Sequence, residues 1–143
     1  MKKYFLIFSV FLLLLPAYGE ENEKTEKGRI GSGKAVTLSN EKEGFKLSEK
    51  AIRNLGISVK VVEGPVVTIP KTSLVRYLDF VAVYRLRDGW YRSVEVEPYF
   101  EGKNATFKSK EFKAGDQIVV RNSGLLRVVE LDVFGPEADA CVD

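Results

Sequence analysis

The segment FVAVYRLRDGWYRSVEVEPY, residues 80–99, carries the clearest structural signal in this chain of 143 residues. Its first arm is rich in apolar residues and is followed by Asp88-Gly89, a dipeptide that favours the tight type I′ turn of a β-hairpin. Side chains of the second arm alternate between two faces, one holding Arg92, Val94 and Val96 and the other Ser93, Glu95 and Glu97. The segment therefore predicts an antiparallel hairpin with one face exposed to water.

Short strands are predicted on both sides of this hairpin, and turn residues separate them at intervals of about ten residues. These strands are AVTLS (35–39), ISVKVVEG (57–64), GPVVTIP (64–70), ATFKS (105–109) and QIVVR (117–121). In the second of them apolar and polar positions alternate, which predicts a half-buried strand with Ile57, Val59 and Val61 on one face.

One short helix is predicted over Leu47–Leu55, because Ser48 can cap its start and Gly56 can end it. The last periodic segment, SGLLRVVELD (123–132), fits either a helix or another strand. Since short strands predominate, the sequence predicts a mainly β domain over residues 35–134. The expected form is a small antiparallel β-sheet or barrel with one short helix.

Both ends of the chain are predicted to lie outside this domain. Residues 1–19 have the pattern of a secretory signal, in which Lys2 and Lys3 precede an apolar run and small residues follow it. The run has about half of the roughly 20 residues that a membrane-spanning anchor needs, so a cleaved signal is favoured over an anchor. Residues 20–34 mix charge with glycine and predict a flexible linker, and residues 135–143 predict a flexible acidic tail.

The charge of the chain argues against two classes of partner. The sequence has 22 Lys and Arg against 20 Asp and Glu, and loss of the signal with Lys2 and Lys3 leaves equal numbers of each sign. Nucleic acids and anionic lipid surfaces both require clustered basic residues. A neutral chain with interspersed charges is therefore not expected to bind either.

The chain offers little reactive chemistry. It has no histidine, its only methionine is Met1, and its only cysteine is Cys141 in the predicted tail. These absences remove the commonest general base and the soft ligands of zinc and copper, so no enzyme activity, cofactor or metal site is predicted. Glu95 and Glu97 lie on a strand face expected to be solvated, which disfavours a hydrolase built on paired carboxylates. Cys141 is either a reactive thiol or an incidental one.

Four aromatic residues flank the second arm of the hairpin: Trp90, Tyr91, Tyr99 and Phe100. Together with Arg92 they are candidates for partner contact, because aromatic residues and arginine dominate the energetics of protein interfaces. The alternative is that the aromatic residues form cross-strand pairs within the core.

Three segments, taken in order, resemble parts of the periplasmic adaptor subunits, or membrane fusion proteins, of RND-type efflux pumps. They are GFKLSEKAIRNLGISVKVVEG (44–64), VTIPKTSLVRYLDFVAVYRLRDGWYRSVEVEPY (67–99) and FKAGDQIVVRNSGLLRVVELD (112–132). The first resembles the N-terminal segment of these subunits, and the other two resemble their C-terminal membrane-proximal domain. In that family P-x-x-(S/A)-L-V precedes a hairpin, here Pro70 to Val75. The pattern (L/F)-K-x-G-D-x-(I/V)-V precedes the last strand, here Phe112 to Val119.

This resemblance implies a periplasmic β domain that binds the inner-membrane transporter, an adaptor protein or a second copy of itself. Gly115 and Asp116 are then expected to build the turn before the last strand, through a positive φ and a carboxylate bonded to turn amides. Only residues 65–67 lie between LGISVKVVEG (55–64) and TIPKTSLV (68–75), whereas a full adaptor has lipoyl-like, α-hairpin and β-barrel domains there. The resemblance thus implies a non-enzymatic interaction module, accessory to an efflux or related envelope complex. The alternatives are a small-ligand-binding β protein and a degenerate adaptor remnant.

Overall fold

The computed structural model describes residues 29–135. Within that range it has ten strands, two α-helices and one short 3-10 helix. The strands are β1 Val36–Asn40, β2 Gly44–Leu47, β3 Ser58–Val61, β4 Val66–Pro70, β5 Val75–Arg76, β6 Val81–Arg87, β7 Trp90–Val96, β8 Tyr99–Glu101, β9 Asn104–Lys108 and β10 Gln117–Arg121. The helices are α1 Glu49–Leu55 and α2 Ser123–Phe134, and the 3-10 helix is Lys71–Ser73.

The strands form two antiparallel sheets. The larger sheet has the order β1-β2-β7-β6-β10-β3, with β5 paired to the start of β6, and the smaller sheet has the order β4-β9-β8. The prediction of a mainly β, antiparallel domain is confirmed. Of its two expected forms, the structure has open sheets and not a closed barrel. Residues 123–132, for which the sequence allowed a helix or a strand, belong to α2.

The predicted hairpin is formed by β6 and β7, in the middle of the larger sheet. Seven residue pairs keep one register between the two strands, ending with Arg87 opposite Trp90. Asp88 and Gly89 connect the strands with φ angles of 51° and 80°. These are the left-handed values that a type I′ turn requires, so the sequence identified this turn correctly.

Successive side chains of β6 enter two different cores, because strand residues alternate between the faces of a sheet. Val83 packs against the smaller sheet, in a core that includes Ile69. Tyr84 faces the other way and packs with Phe45 and with Leu126 of α2. The larger sheet is therefore a middle layer between the smaller sheet and the helices.

Helix α1 has the two ends that the sequence predicted. The Ser48 hydroxyl accepts a hydrogen bond from the Ala51 backbone N–H at 3.2 Å, and Gly56 ends the helix with a φ of 61°. The Asn122 side chain donates to the carbonyl oxygens of Leu55 at 2.8 Å and Gly56 at 3.1 Å. The start of α2 is thereby tied to the end of α1.

Strand β3 does not have the predicted half-buried face. Its four residues are all exposed, including Val59 and Val61, and the buried side chain is Val62, just beyond the strand. The reason is that β3 lies at the edge of the larger sheet, where it pairs only with β10. Lys60 donates to the Thr68 carbonyl of β4 at 3.2 Å. A charged residue in this position discourages the edge from pairing with another chain.

The domain begins earlier than the sequence predicted. Within the predicted linker, residues 20–34, Ile30 forms a bridge with Val36 and packs against the helix-side core. Arg29 forms an ion pair with Asp132 of α2. Arg29, Ile30 and Gly31 of the predicted linker therefore contact the domain, and residues 20–28 lie outside the described residues.

The predicted signal segment, residues 1–19, also lies outside the described residues, as does the predicted tail beyond Gly135 with Cys141. In the part of the chain that the structure describes, α1 has seven residues and α2 has twelve. Neither of these helices is long and apolar enough to cross a membrane.

Candidate functional site

Glu130 of α2 is the centre of a hydrogen-bonded cluster between that helix and the larger sheet. Its Oε2 accepts hydrogen bonds from the hydroxyls of Tyr77 at 2.7 Å and Tyr84 at 2.8 Å. Its Oε1 accepts from the Ser93 hydroxyl at 2.6 Å. The guanidinium of Arg127, one helical turn earlier, donates to Oε2 at 3.0 Å. Four donors thus meet one carboxylate, and we call these five residues the Glu130 cluster.

The electrostatics of the cluster keep Glu130 charged. Burial raises the pKa of Glu130, but the hydrogen bonds from Ser93, Tyr77, Tyr84 and Arg127 outweigh burial and hold that pKa below its ordinary value. Burial, the Tyr77 hydroxyl and the Glu130 charge raise the pKa of Tyr84. At neutral pH Glu130 is therefore an ionised acceptor. This state suits an anchor for α2, whereas a general acid needs a raised pKa.

An open groove of about 750 Å³ lies beside the Glu130 cluster, between α2 and the larger sheet. The Arg127 guanidinium lies 4.0 Å from the centre of the Tyr77 ring, and that ring stacks on Phe80 with 4.3 Å between centres. Phe134 and Arg92 also line the groove. Because Arg127 and Glu130 bond to each other, they offer a groove ligand little free hydrogen-bonding capacity.

A second polar cluster lies on the opposite face of the larger sheet, at the turn end of the hairpin. Arg87 donates from Nε and Nη2 to the two carboxylate oxygens of Asp116, each at 2.6 Å, and these bonds hold the pKa of Asp116 below its ordinary value. Asp116 also accepts from the Lys113 backbone N–H at 2.8 Å, and Gly115 has a φ of 92°. Gly115 and Asp116 therefore build the turn before β10, the role that the sequence indicates for them.

Arg85 lies beside this ion pair and is only 4% exposed. Its Nη1 donates to the Glu111 carbonyl oxygen at 2.9 Å and is 3.5 Å from the Glu111 carboxylate. Its Nε is the one buried side-chain polar atom within residues 29–135 that has no hydrogen-bond partner. Burial and the charge of Arg87 lower the pKa of Arg85. The positive charge of Arg85 is thus incompletely compensated.

The structure corrects one of the predicted contact residues in the hairpin. Trp90 is half-buried, with the Lys46 ammonium 4.9 Å from its ring centre, and Arg92 is exposed. Tyr91 lies between them in sequence but faces the helix-side core, where it stacks on Phe45 and is only 2% exposed. The prediction of Tyr91 as a partner contact is therefore wrong, because alternation along β7 turns this ring inward.

Tyr99 and Phe100, the other two predicted contacts, are exposed residues of β8 in the smaller sheet. The Lys71 ammonium lies 4.9 Å from the centre of the Phe100 ring. Strand β7 runs seven residues from Trp90 toward β8, a length of about 20 Å, so the two aromatic groups do not meet at the hairpin end. The structure therefore divides the predicted contacts between two surfaces.

The outer surface of α2 carries large apolar side chains that sequence analysis did not assign to a site. They are exposed by 43%, 64%, 48% and 39% in the order Leu125, Val128, Leu131 and Phe134. At a spacing of three residues each side chain neighbours the next, but the row turns by about 60° at each step. Val128 and Leu131 are therefore the centre of the outer surface, and Leu125 and Phe134 lie on its two flanks. This spacing is visible in the sequence, but it identifies an outer face only when the packed side, with buried Leu126, is known. We call these four residues the α2 apolar face.

The two carboxyl groups with low pKa values make the acid stability of the domain predictable. Glu130 and Asp116 both have pKa values below the ordinary 4.5 and 3.8, so the unfolded chain binds protons more readily than the folded chain. The free energy of unfolding is expected to be constant from about pH 8 to about pH 5 and to fall progressively below about pH 4.5. There is no histidine to titrate in the upper range. Urea unfolding measured at a series of pH values tests this, and a fall that begins above about pH 6 would contradict it.

A scan against protein-family models, a search of curated proteins and a search of solved structures each found no match to this chain. Among residues 29–135, no group of three or more His, Cys, Asp or Glu side chains is placed to hold a metal ion. The candidate contact surfaces of the described residues are the groove beside the Glu130 cluster, the α2 apolar face and the arginine-rich end of the hairpin.

Proposed function

We propose that this chain is a non-enzymatic protein-interaction module of the periplasm, accessory to an RND-type efflux or related envelope complex, and that α2 docks on its partner. The α2 apolar face is the observation that carries the proposal. The resemblance of the sequence to adaptor membrane-proximal domains names the partner as the inner-membrane transporter or an adaptor protein.

The α2 apolar face supports docking because it adds a second apolar side to a helix that already has one. A helix on a sheet needs a single apolar stripe, which Leu126 and its neighbours provide. Contiguous apolar residues on the surface of a protein mark sites of contact with other proteins. Docking removes the α2 apolar face from water, which the packing of the domain itself does not do.

The Glu130 cluster supports the same proposal by fixing the position of α2. Glu130 binds hydroxyls from β6 and β7, and the buried Leu126 anchors the helix to the core. A surface that is already ordered binds with a smaller loss of conformational entropy than a mobile one. The cluster thus presents the α2 apolar face as a rigid surface.

The double variant Val128→Gln with Leu131→Gln is expected to reduce capture of the partner by about tenfold or more. Each apolar side chain buried in an interface contributes roughly 1.5 to 3 kcal/mol, so the loss of two is large. The tagged chain is crosslinked in intact envelopes and purified, and the inner-membrane transporter and full-length adaptors are quantified by mass spectrometry.

Val66→Gln is the matched control, because Val66 is 61% exposed on the smaller sheet, similar to Val128 on α2. It is expected to leave the captured amount unchanged. Equal capture by the control and the double variant would contradict docking through α2. If no transporter or adaptor is captured and a small molecule raises the melting temperature, the chain is instead a ligand-binding protein.

A further inference from the structure

The turn end of the hairpin presents a second surface, on the side of the larger sheet opposite α2. In β7, Trp90 and Arg92 alternate with Tyr91 and Ser93, and the latter two face the helix side. Arg85 lies directly opposite Arg92, and Arg87 lies directly opposite Trp90. The basic hairpin face consists of Lys46, Arg85, Arg87, Trp90 and Arg92.

The cations of the basic hairpin face are unequally compensated. The bidentate contact with Asp116 neutralises Arg87. Lys46 and Arg92 form no ion pair with any residue in the range 29–135. Buried Arg85 has the Glu111 carboxylate at 3.5 Å, which is largely exposed, and the nearby charge of Asp116, which Arg87 already pairs with. The face therefore has cationic groups available for a further negative charge.

The pairing of Arg85 with Arg92 points to where that charge would bind. Residues directly opposite each other in an antiparallel pair have Cβ atoms about 4.5 to 5.5 Å apart, and like charges in such positions repel. Arg87 lies two residues along the same face of β6, but its charge is neutralised by Asp116, so the repulsion is between Arg85 and Arg92. An anion bound to the exposed Arg92 guanidinium would lie next to Arg85 and offset this repulsion.

We propose that the basic hairpin face docks an acidic polypeptide segment of a partner, with a carboxylate held by Arg92 beside Arg85. Guanidinium groups bind carboxylates through paired hydrogen bonds, and Lys46 adds a second cation nearby. The half-buried ring of Trp90 provides the apolar contact next to these charges. Interfaces are rich in this combination of tryptophan and arginine.

An acidic polypeptide fits this face better than a lipid surface or a nucleic acid. Asp88, Glu111 and Asp116 lie at the same end of the sheet and would repel an extended anionic surface. A polypeptide carboxylate is a single charge that can bind the exposed Arg92 guanidinium without approaching all three acids, while buried Arg85 contributes only its charge. Most of this site lies on the face opposite α2, although Arg92 also lines the groove beside α2. The two proposals are tested with different variants, so this docking site can succeed or fail independently of the proposed contact through the α2 apolar face.

Trp90 is the only tryptophan in the chain, so its fluorescence reports on this face alone. Titration of the full-length exported chain with a short glutamate-rich peptide is expected to shift the Trp90 emission in a saturable manner. Arg92→Glu is expected to weaken the affinity by about tenfold, as for the loss of a charged interface contact. Arg76→Glu is the matched control, since Arg76 is exposed in β5, opposite Val81 at the other end of β6. It is expected to change affinity less than about twofold.

Four results would overturn the proposal. The first is equal weakening by Arg92→Glu and Arg76→Glu. The second is equal binding of a lysine-rich peptide, and the third is a shift with phosphatidylglycerol vesicles but not with the glutamate-rich peptide. Binding that tightens after removal of residues 136–143 would identify the chain's own acidic tail as the occupant, and this would also overturn docking of a partner. Loss of α2 docking without loss of peptide binding would leave this proposal standing.

Discussion

Replacing Glu130 with alanine is expected to lower the free energy of unfolding by about 3 kcal/mol. The change removes the shared acceptor of four donors, which are Tyr77, Tyr84, Ser93 and Arg127. Tyr84 is completely buried, so its hydroxyl depends on this carboxylate as its acceptor. Urea unfolding followed by circular dichroism measures the difference between the two chains.

Two further variants provide reference values for the effect of Glu130→Ala on the free energy of unfolding. Glu95→Ala removes an exposed carboxylate from the same sheet and is expected to change the free energy of unfolding by less than about 0.5 kcal/mol. Tyr84→Phe removes one of the four donors and is expected to cost about 1 kcal/mol. If Glu130→Ala behaved like Glu95→Ala, the Glu130 cluster would not be what holds α2 on the sheet.

The Glu130 cluster also separates the stability of the domain from its proposed docking. Glu130→Ala leaves the α2 apolar face in place but removes the bonds that fix the helix to Tyr84 and Ser93. Val128→Gln and Leu131→Gln leave those bonds intact and change only exposed side chains. A loss of capture in the second case without a loss of stability would therefore be a property of the surface alone.

The parts of the fold that could be predicted from the sequence are the ones determined by neighbouring residues. The turn at Asp88-Gly89 requires two positive φ angles, and this dipeptide accepts them at low energetic cost. The ends of α1 depend on Ser48 and Gly56, which act within four residues of their partners. Because these signals depend only on nearby residues, they can be read from the sequence without the tertiary structure.

The parts that could not be predicted depend on residues far apart in the sequence. Ser93 was expected on a face exposed to water, but Glu130, 37 residues later, covers it from α2. Val59 and Val61 have the alternation of a half-buried strand, yet no layer covers β3 at the sheet edge. A periodic pattern states which residues share a face, and only the packing of other elements decides whether that face is buried.

The candidate sites show the same division. Trp90 and Arg92 could be selected from the sequence because of their residue types, and they remain at one surface in the structure. The opposing Arg85 could be placed beside Arg92 only through the hairpin register. The α2 apolar face required a further step, since the segment was compatible with a strand until its packing against the sheet was known.

Substituting Gly44 with alanine is expected to lower the free energy of unfolding by about 4 kcal/mol. Gly44 has a φ of 102°, where L-amino acids are strained, and an added Cβ would lie 2.0 Å from the Tyr91 carbonyl oxygen. Because that oxygen belongs to the backbone, the clash would move β2 away from β7. The pairing of Phe45 with Tyr91 and the stacking of their rings in the helix-side core would then be lost. Urea unfolding measures the cost.

Gly124→Ala is the control for the same chemical change in a different setting. Gly124 is the second residue of α2, its φ is not positive, and no atom lies within 4 Å of an added Cβ. Alanine favours helix and restricts the unfolded chain, so this variant is expected to stabilise the domain by about 0.5 to 1 kcal/mol. If Gly44→Ala lowers the free energy of unfolding and Gly124→Ala raises it, the loss of stability is due to the contact between β2 and β7. A small effect at both would show that the larger sheet tolerates separation there, and that Phe45 and Tyr91 contribute less to the core than their burial indicates.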